Sequence, residues 1–205
     1  MKKYEIIFSL NETEKIVTHY DESLKEFTCC YETPIVFDQN NCKIQLSNDD
    51  LLGDMETLAY LLKKALLNKI QLHKSIPDIG YQYNEYCDFL FNENSQVKRK
   101  FAYKKLENSN TWTGNSYELW AYDVISWIYN NLNGQIIFEI TPIYADDFSE
   151  PKEKESLQEW LTHYKPVMTR IIPKHVAQQW LVQAQEIIER IYANNTRLQQ
   201  ELDSK

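Results

Sequence analysis

The residues able to do chemistry in this chain are its four histidines, four cysteines and 30 acidic side chains. His73 and Asp78 share the stretch Leu72-His73-Lys74-Ser75-Ile76-Pro77-Asp78. An imidazole near a carboxylate is half of an acid/base pair, although a histidine where a helix ends also serves as a contact for the helix dipole or simply faces solvent. Glu139 interrupts the apolar run Ile136-Ile137-Phe138-Glu139-Ile140-Thr141. It belongs either on the solvated face of an antiparallel strand or in a cleft. His73, Asp78 and Glu139 are therefore the catalytic candidates, and a hydrolase using a histidine and a carboxylate is the reaction class they allow. His19, His163 and His175 are expected to be exposed.

Cys29, Cys30, Cys42 and Cys87 contain no C-x-x-C pair, and His19 and His73 offer no close partner spacing for zinc. Reduced, mostly buried thiols are expected. Cys87 adjoins Asp88, an acid that disfavours the thiolate and argues against a nucleophile. With 4 Gly, at Gly53, Gly80, Gly114 and Gly134, neither a P-loop nor a dinucleotide fingerprint nor a nucleophile elbow can be built. No cofactor and no metal are expected.

Charge narrows the partners. The formal net charge is -8 and the isoelectric point is about 5.1, a poor start for holding nucleic-acid phosphates. The one basic cluster, Lys98-Arg99-Lys100 with Lys104-Lys105, reads as protection of an exposed strand edge, so no nucleic-acid partner is expected. No window approaches the 18 or so apolar residues of a spanning helix, and Met1-Lys2-Lys3 leads into no secretory apolar region. The cytoplasm is the expected compartment, with no membrane association. Two features suit a protein partner. Trp112, in Thr111-Trp112-Thr113-Gly114-Asn115, is a candidate exposed anchor, and Asp146, Asp147, Glu150 and Glu153 form a candidate acidic patch.

The elements that must position these groups follow from periodicity. Strands are predicted over 4–10 and 15–19, and a hairpin over 34–38 and 42–46, with Gln39-Asn40-Asn41 as its loop. Residues 21–31 fit either helix or strand. A long helix follows, with Ser47 as N-cap and Leu51, Met55, Leu58, Leu62, Ala65 or Leu66, and Ile70 on one face. Residues 76–80 read as a turn, and the chain from 81 to 144 as sheet, including strands over 83–91 and 97–106. Asn133-Gly134 predicts a two-residue type I′ turn that pairs Tyr129 with Phe138 and Trp127 with Ile140. Residues 118–130 also fit a helical face, but the hairpin turn favours strand.

Residues 146–155 read as a linker. Ser156-Leu157-Gln158-Glu159 is a capping box opening a short helix, 167–172 a strand, and Pro173 the first residue of a final helix. Ala177, Trp180, Ala184, Ile187 and Ile191 form that helix's apolar stripe, which faces either its own sheet or a second copy of the chain in a helix-mediated dimer.

The fold class expected is α+β: a mainly antiparallel sheet with two long helices and one short helix packed on one face. A single domain spans 1–198, with 199–205 as a frayed tail. Size, acidity and missing catalytic motifs resemble the profile of bacterial immunity proteins and antitoxins. That resemblance implies a non-enzymatic module that holds a basic protein such as a toxin.

Overall fold

The computed structural model describes residues 3–21, 32–40, 42–72, 78–84, 117–144 and 155–203. His73, Trp112, Asp146, Asp147, Glu150 and Glu153 lie outside them, as do Cys29, Cys30, Cys87 and the basic cluster.

The fold is α+β, with its strands divided between two four-stranded antiparallel sheets. The first is the meander β1 (Lys3–Ser9), β2 (Glu14–Asp21), β3 (Ile35–Gln39) and β4 (Cys42–Ser47), and helix α1 (Leu51–Leu66) follows it. The second contains β5 (Glu118–Ala121), β6 (Val124–Asn130), β7 (Ile136–Pro142) and β8 (Met168–Ile172). The short helix α2 (Leu157–Thr162) precedes β8, and the long helix α3 (Lys174–Asp203) follows it. Residues 118–130 are thus strand rather than helix, as the hairpin argument favoured, but as two paired strands that turn at 122–123.

One apolar core joins the sheets. Phe37 of the first sheet lies 6.0 Å from Phe138 of the second, and Phe138 lies 6.4 Å from Trp180 of α3, whose ring meets Phe8 at 6.1 Å. Tilted and edge-on ring pairs at such spacings add about 1 kcal/mol each beyond the area they bury. Leu51, Met55, Leu58, Leu62 and Ala65 of α1 are buried as their spacing requires, and so is the whole stripe Ala177, Trp180, Ala184, Ile187 and Ile191. The stripe packs inside the chain's own core. Helix α3 also closes the outer edge of β1: Trp180 Nε1 donates to Ser9 O at 2.9 Å and Gln183 Nε2 to Ile7 O at 3.2 Å. Carbonyls that would otherwise invite another strand are thereby occupied.

Local details depart from the sequence expectation where a competing side chain wins. Asp50, not Ser47, caps α1 by accepting from Gly53 N at 3.1 Å. Ser47 is buried and donates to Asp54 Oδ2 at 2.8 Å. The helix stops before Ile70 because Asn68 takes a left-handed φ of 54°, with Asn68 N and Lys69 N bonding back to Ala65 O and Lys64 O in a Schellman ending. Pro173 sits one residue ahead of α3 and its carbonyl accepts from Ala177 N. Helix α3 continues through Asn194 and Asn195, so residues 199–203 are helical rather than frayed. Cys42 is exposed, contrary to the expectation of buried thiols. Residues 79–84 form a helical segment where the end of a turn (76–80) and the start of the sheet (from 81) were expected.

Candidate functional site

The site is built on the β6–β7 hairpin, and the hairpin on one asparagine. Asn131 Oδ1 accepts from Asn133 N and from Gln135 N, each at 3.0 Å, while Gly134 N donates to Asn131 O at 2.9 Å. Gly134 has φ 74°, a conformation that costs a side-chain-bearing residue about 1–2 kcal/mol. The loop is therefore Leu132-Asn133-Gly134, three residues with glycine in the left-handed position, rather than the predicted two-residue turn. Tyr129 pairs with Ile137 and Trp127 with Glu139, one residue out of the predicted register. Because side chains alternate along a strand, that shift carries Glu139 to the face that holds Tyr129.

There Glu139 is 5% exposed, a correction to the solvated-face reading. Its Oε2 accepts from the Tyr129 hydroxyl at 2.9 Å and from Thr169 Oγ1 of β8 at 3.3 Å. The opposite face of β6 looks toward α1, where Asn130 Nδ2 donates to Ala65 O at 3.0 Å. The second sheet is thus covered on both faces.

The helical segment 79–84 lies over the Glu139 face. Asp78 opens it: its Oδ1 accepts from Tyr81 N at 2.9 Å, an N-cap bond, and from the Tyr164 hydroxyl at 3.0 Å. Gly80 lets the segment sit close, since a Cβ there would overlap the Tyr164 hydroxyl and the side chain of Thr141. Buried Asn84 anchors the other end, donating to Gly80 O at 2.7 Å and to Pro142 O at 3.0 Å. Tyr83 packs edge-on to Trp127 at 5.5 Å.

Tyr164 follows α2, whose capping box is formed in full: Ser156 Oγ accepts from Glu159 N, and Glu159 Oε2 accepts from Ser156 N. A row of half-buried rings runs from it. Tyr81 meets Tyr164 at 5.8 Å, Tyr164 meets Trp160 at 5.4 Å, and Trp160 meets Tyr144 at 5.5 Å.

Asp78, Glu139, Tyr129 and Tyr164 form one electrostatic group. Burial pushes the Glu139 carboxyl up to about 7, and the charge of Asp78 adds to the rise, against the lowering effect of its hydrogen bonds from Tyr129 and Thr169. The phenols of Tyr129 and Tyr164 are raised above the ordinary tyrosine range by burial first, then by the facing carboxylates. Both hydroxyls are therefore fixed as donors. One carboxyl that holds its proton near neutrality beside another carboxyl is the arrangement that acid/base chemistry uses. It is equally an anionic site, for no cation among the described residues pairs with Asp78 or Glu139.

Of the three catalytic candidates, Asp78 and Glu139 lie among the described residues, each accepting from a tyrosine hydroxyl, and the charge of Asp78 reaches Glu139, while His73 lies outside them. Tyr129 and Tyr164 were not anticipated. Tyr129 was hidden by the register, and the contact from Tyr164 to Asp78 spans 86 residues and left no mark in the sequence. His163 Nε2 sits 3.3 Å from Glu155 and its side chain is exposed, as expected. His175 is exposed on α3, beside a groove of about 670 Å³ lined also by Ile7, Gln179 and Gln183, while His19 is half-buried. Among the described residues no three His, Cys, Asp or Glu side chains gather into a metal site, and no helix is long and apolar enough to cross a membrane.

Comparisons with family models, with curated proteins and with solved structures find no match for this chain.

Proposed function

We propose that this protein is a non-enzymatic, acidic protein-binding module of the cytoplasm whose partner is a basic protein, in the manner of a bacterial immunity protein or antitoxin that neutralises a toxin. The observation that carries the reading is uncompensated charge. The chain holds 30 acids against 22 Lys and Arg, a formal net charge of -8. Surplus negative charge steers a basic partner and speeds its encounter. Asp146, Asp147, Glu150 and Glu153 are the proposed steering patch, and Trp112 the proposed anchor. The test is capture of a basic protein from the native cell and relief of its toxicity on co-expression. Reversing the four acids to lysine should slow association and weaken its salt dependence, and Trp112→Ala should speed dissociation. Capture indifferent to all five changes would sink the reading.

A second reading, a hydrolase acting through Asp78 and Glu139 with His73, is favoured by the raised proton affinity of Glu139 beside Asp78. Turnover of chromogenic esters or glycosides that disappears in both Glu139→Gln and His73→Ala, with melting temperatures kept, would support it. Activity unchanged in either variant would remove it.

A further inference from the structure

We propose that Asn133 is a covalent modification site at which this chain deamidates, and that the folded β6–β7 turn holds the reaction in check. Conversion of Asn133 then records opening of the hairpin tip.

The chemistry follows from one pair of neighbours. Asn133-Gly134 is the only Asn-Gly pair in the 205 residues. In such a pair the main-chain nitrogen of the glycine attacks Cγ of the asparagine side chain. An N–Cγ bond forms, the Cγ–Nδ2 bond breaks, and ammonia leaves with the proton that the main-chain nitrogen gives up. The product is a cyclic succinimide. Water then opens the ring at either carbonyl, giving aspartate or isoaspartate, with no oxidant or reductant needed. Glycine favours the step because it has no Cβ to crowd the attacking nitrogen and the widest choice of backbone angles. Water has access, for Leu132 is 61% exposed and Asn133 and Gln135 are exposed beside it.

The turn opposes the same step. Gly134 N, the attacking atom, donates to Asn131 O at 2.9 Å, an oxygen that Gln71 Nε2 also reaches at 3.2 Å. Asn131 Oδ1 holds the N–H groups on either side, Asn133 N and Gln135 N, and Asn131 Nδ2 donates to Gln135 Oε1 at 2.8 Å. While those bonds stand, the nitrogen is kept from swinging toward Cγ of Asn133. An exposed hairpin tip opens at lower cost than the whole chain unfolds. Opening lets the reaction run, and closure is then lost. The succinimide nitrogen has no hydrogen for Asn131 O, and isoaspartate lengthens the main chain of the loop by one carbon atom. That loop sets the register of Tyr129 against Ile137 and of Trp127 against Glu139.

The test incubates the full-length protein at mildly alkaline pH in native buffer and in guanidinium chloride. Peptide mass mapping, with the aspartate and isoaspartate forms separated, follows position 133. In denaturant Asn133 should convert faster than any other asparagine. In native buffer it should convert at least about tenfold more slowly than in denaturant, because several hydrogen bonds must open first. Asn131→Ala frees two N–H groups and should speed native conversion by about tenfold, whereas Asn131→Asp keeps a side-chain oxygen there and should stay slow. Hydrogen exchange of the Gly134 amide in the wild type reads the opening without any variant, and conditions that speed exchange should speed conversion in proportion. Another asparagine converting first in denaturant, equal rates in native buffer and denaturant, or conversion that does not follow Gly134 exchange would overturn the proposal. Refolded protein carrying isoaspartate at position 133 should unfold at lower denaturant than the unconverted form, and an equal midpoint would overturn the loss of closure.

Discussion

Glu14 of the first sheet and Arg170 of the second, 156 residues apart in sequence, meet at 2.8 Å through Nε and 2.7 Å through Nη2. The Glu14 side chain is 6% exposed and its second oxygen accepts from Asn11 Nδ2 at 2.7 Å, so the carboxylate is saturated. Arg170→Ala strands a buried charge. It should cost about 2–3 kcal/mol in urea unfolding near pH 7. Arg170→Ala combined with Glu14→Gln should recover most of that loss, and failure to recover would mean that Arg170 acts mainly through packing.

Stability should fall as pH rises between about 4.5 and 7. Glu139 and Asp54 are both raised to about 7, each by burial first, from ordinary values of 4.5 and 3.8. In that window the folded state keeps protons that the unfolded chain has released, so each increment of pH favours unfolding. Glu14, held low chiefly by its hydrogen bond from Arg170, acts the other way and withdraws its support as pH falls below 4.5. The thermal midpoint should therefore be higher at about pH 5.5 than at about pH 8. Glu139→Gln with Asp54→Asn should flatten the difference, and a flat wild-type profile would refute the argument.

Gly80→Ala separates helix propensity from packing. In an open helix the change would stabilise by up to about 1 kcal/mol. Here the new Cβ meets the Tyr164 hydroxyl and Thr141, so a loss of about 1–3 kcal/mol is expected, with the Tyr164 hydroxyl displaced from Asp78. Denaturant unfolding reads the sign directly.

The β6–β7 turn makes a similar distinction. Gly134→Ala should cost about 1 kcal/mol because of its positive φ, and Gly134→Asn much less, since asparagine tolerates that region. Asn131→Ala should cost more than either, because it frees Asn133 N and Gln135 N together. Equal effects of alanine and asparagine at position 134 would contradict the left-handed turn.

Much of the scaffold was legible because it is written in local patterns. The stripe from Ala177 to Ile191, the face from Leu51 to Ala65 and the Ser156–Glu159 box each follow from spacings of three and four residues, and all are formed as read. Ser47 misled because two acids compete near the same helix start, and the geometry that chooses Asp50 includes a buried Asp54 that needs the Ser47 hydroxyl. Residues 81–84 misled because their aromatic composition fits a strand, while the Tyr81 N–H donating to Asp78 Oδ1 starts a helix.

The sequence alone determined the strands of the first sheet, the helical stripes and the antiparallel α+β class, since each depends on neighbours within a few positions, and it offered Asp78 and Glu139 as carboxyl candidates. The tertiary structure decided what those carboxyls face. A single extra loop residue at the Asn131 turn moved Glu139 across the sheet to Tyr129, because alternation turns a one-residue shift into a change of face. Asp78 accepts from the Tyr164 hydroxyl, 86 residues away, beside a glycine that leaves room for it. Contacts of that range depend on how sheets and helices pack, and packing leaves no period in the chain.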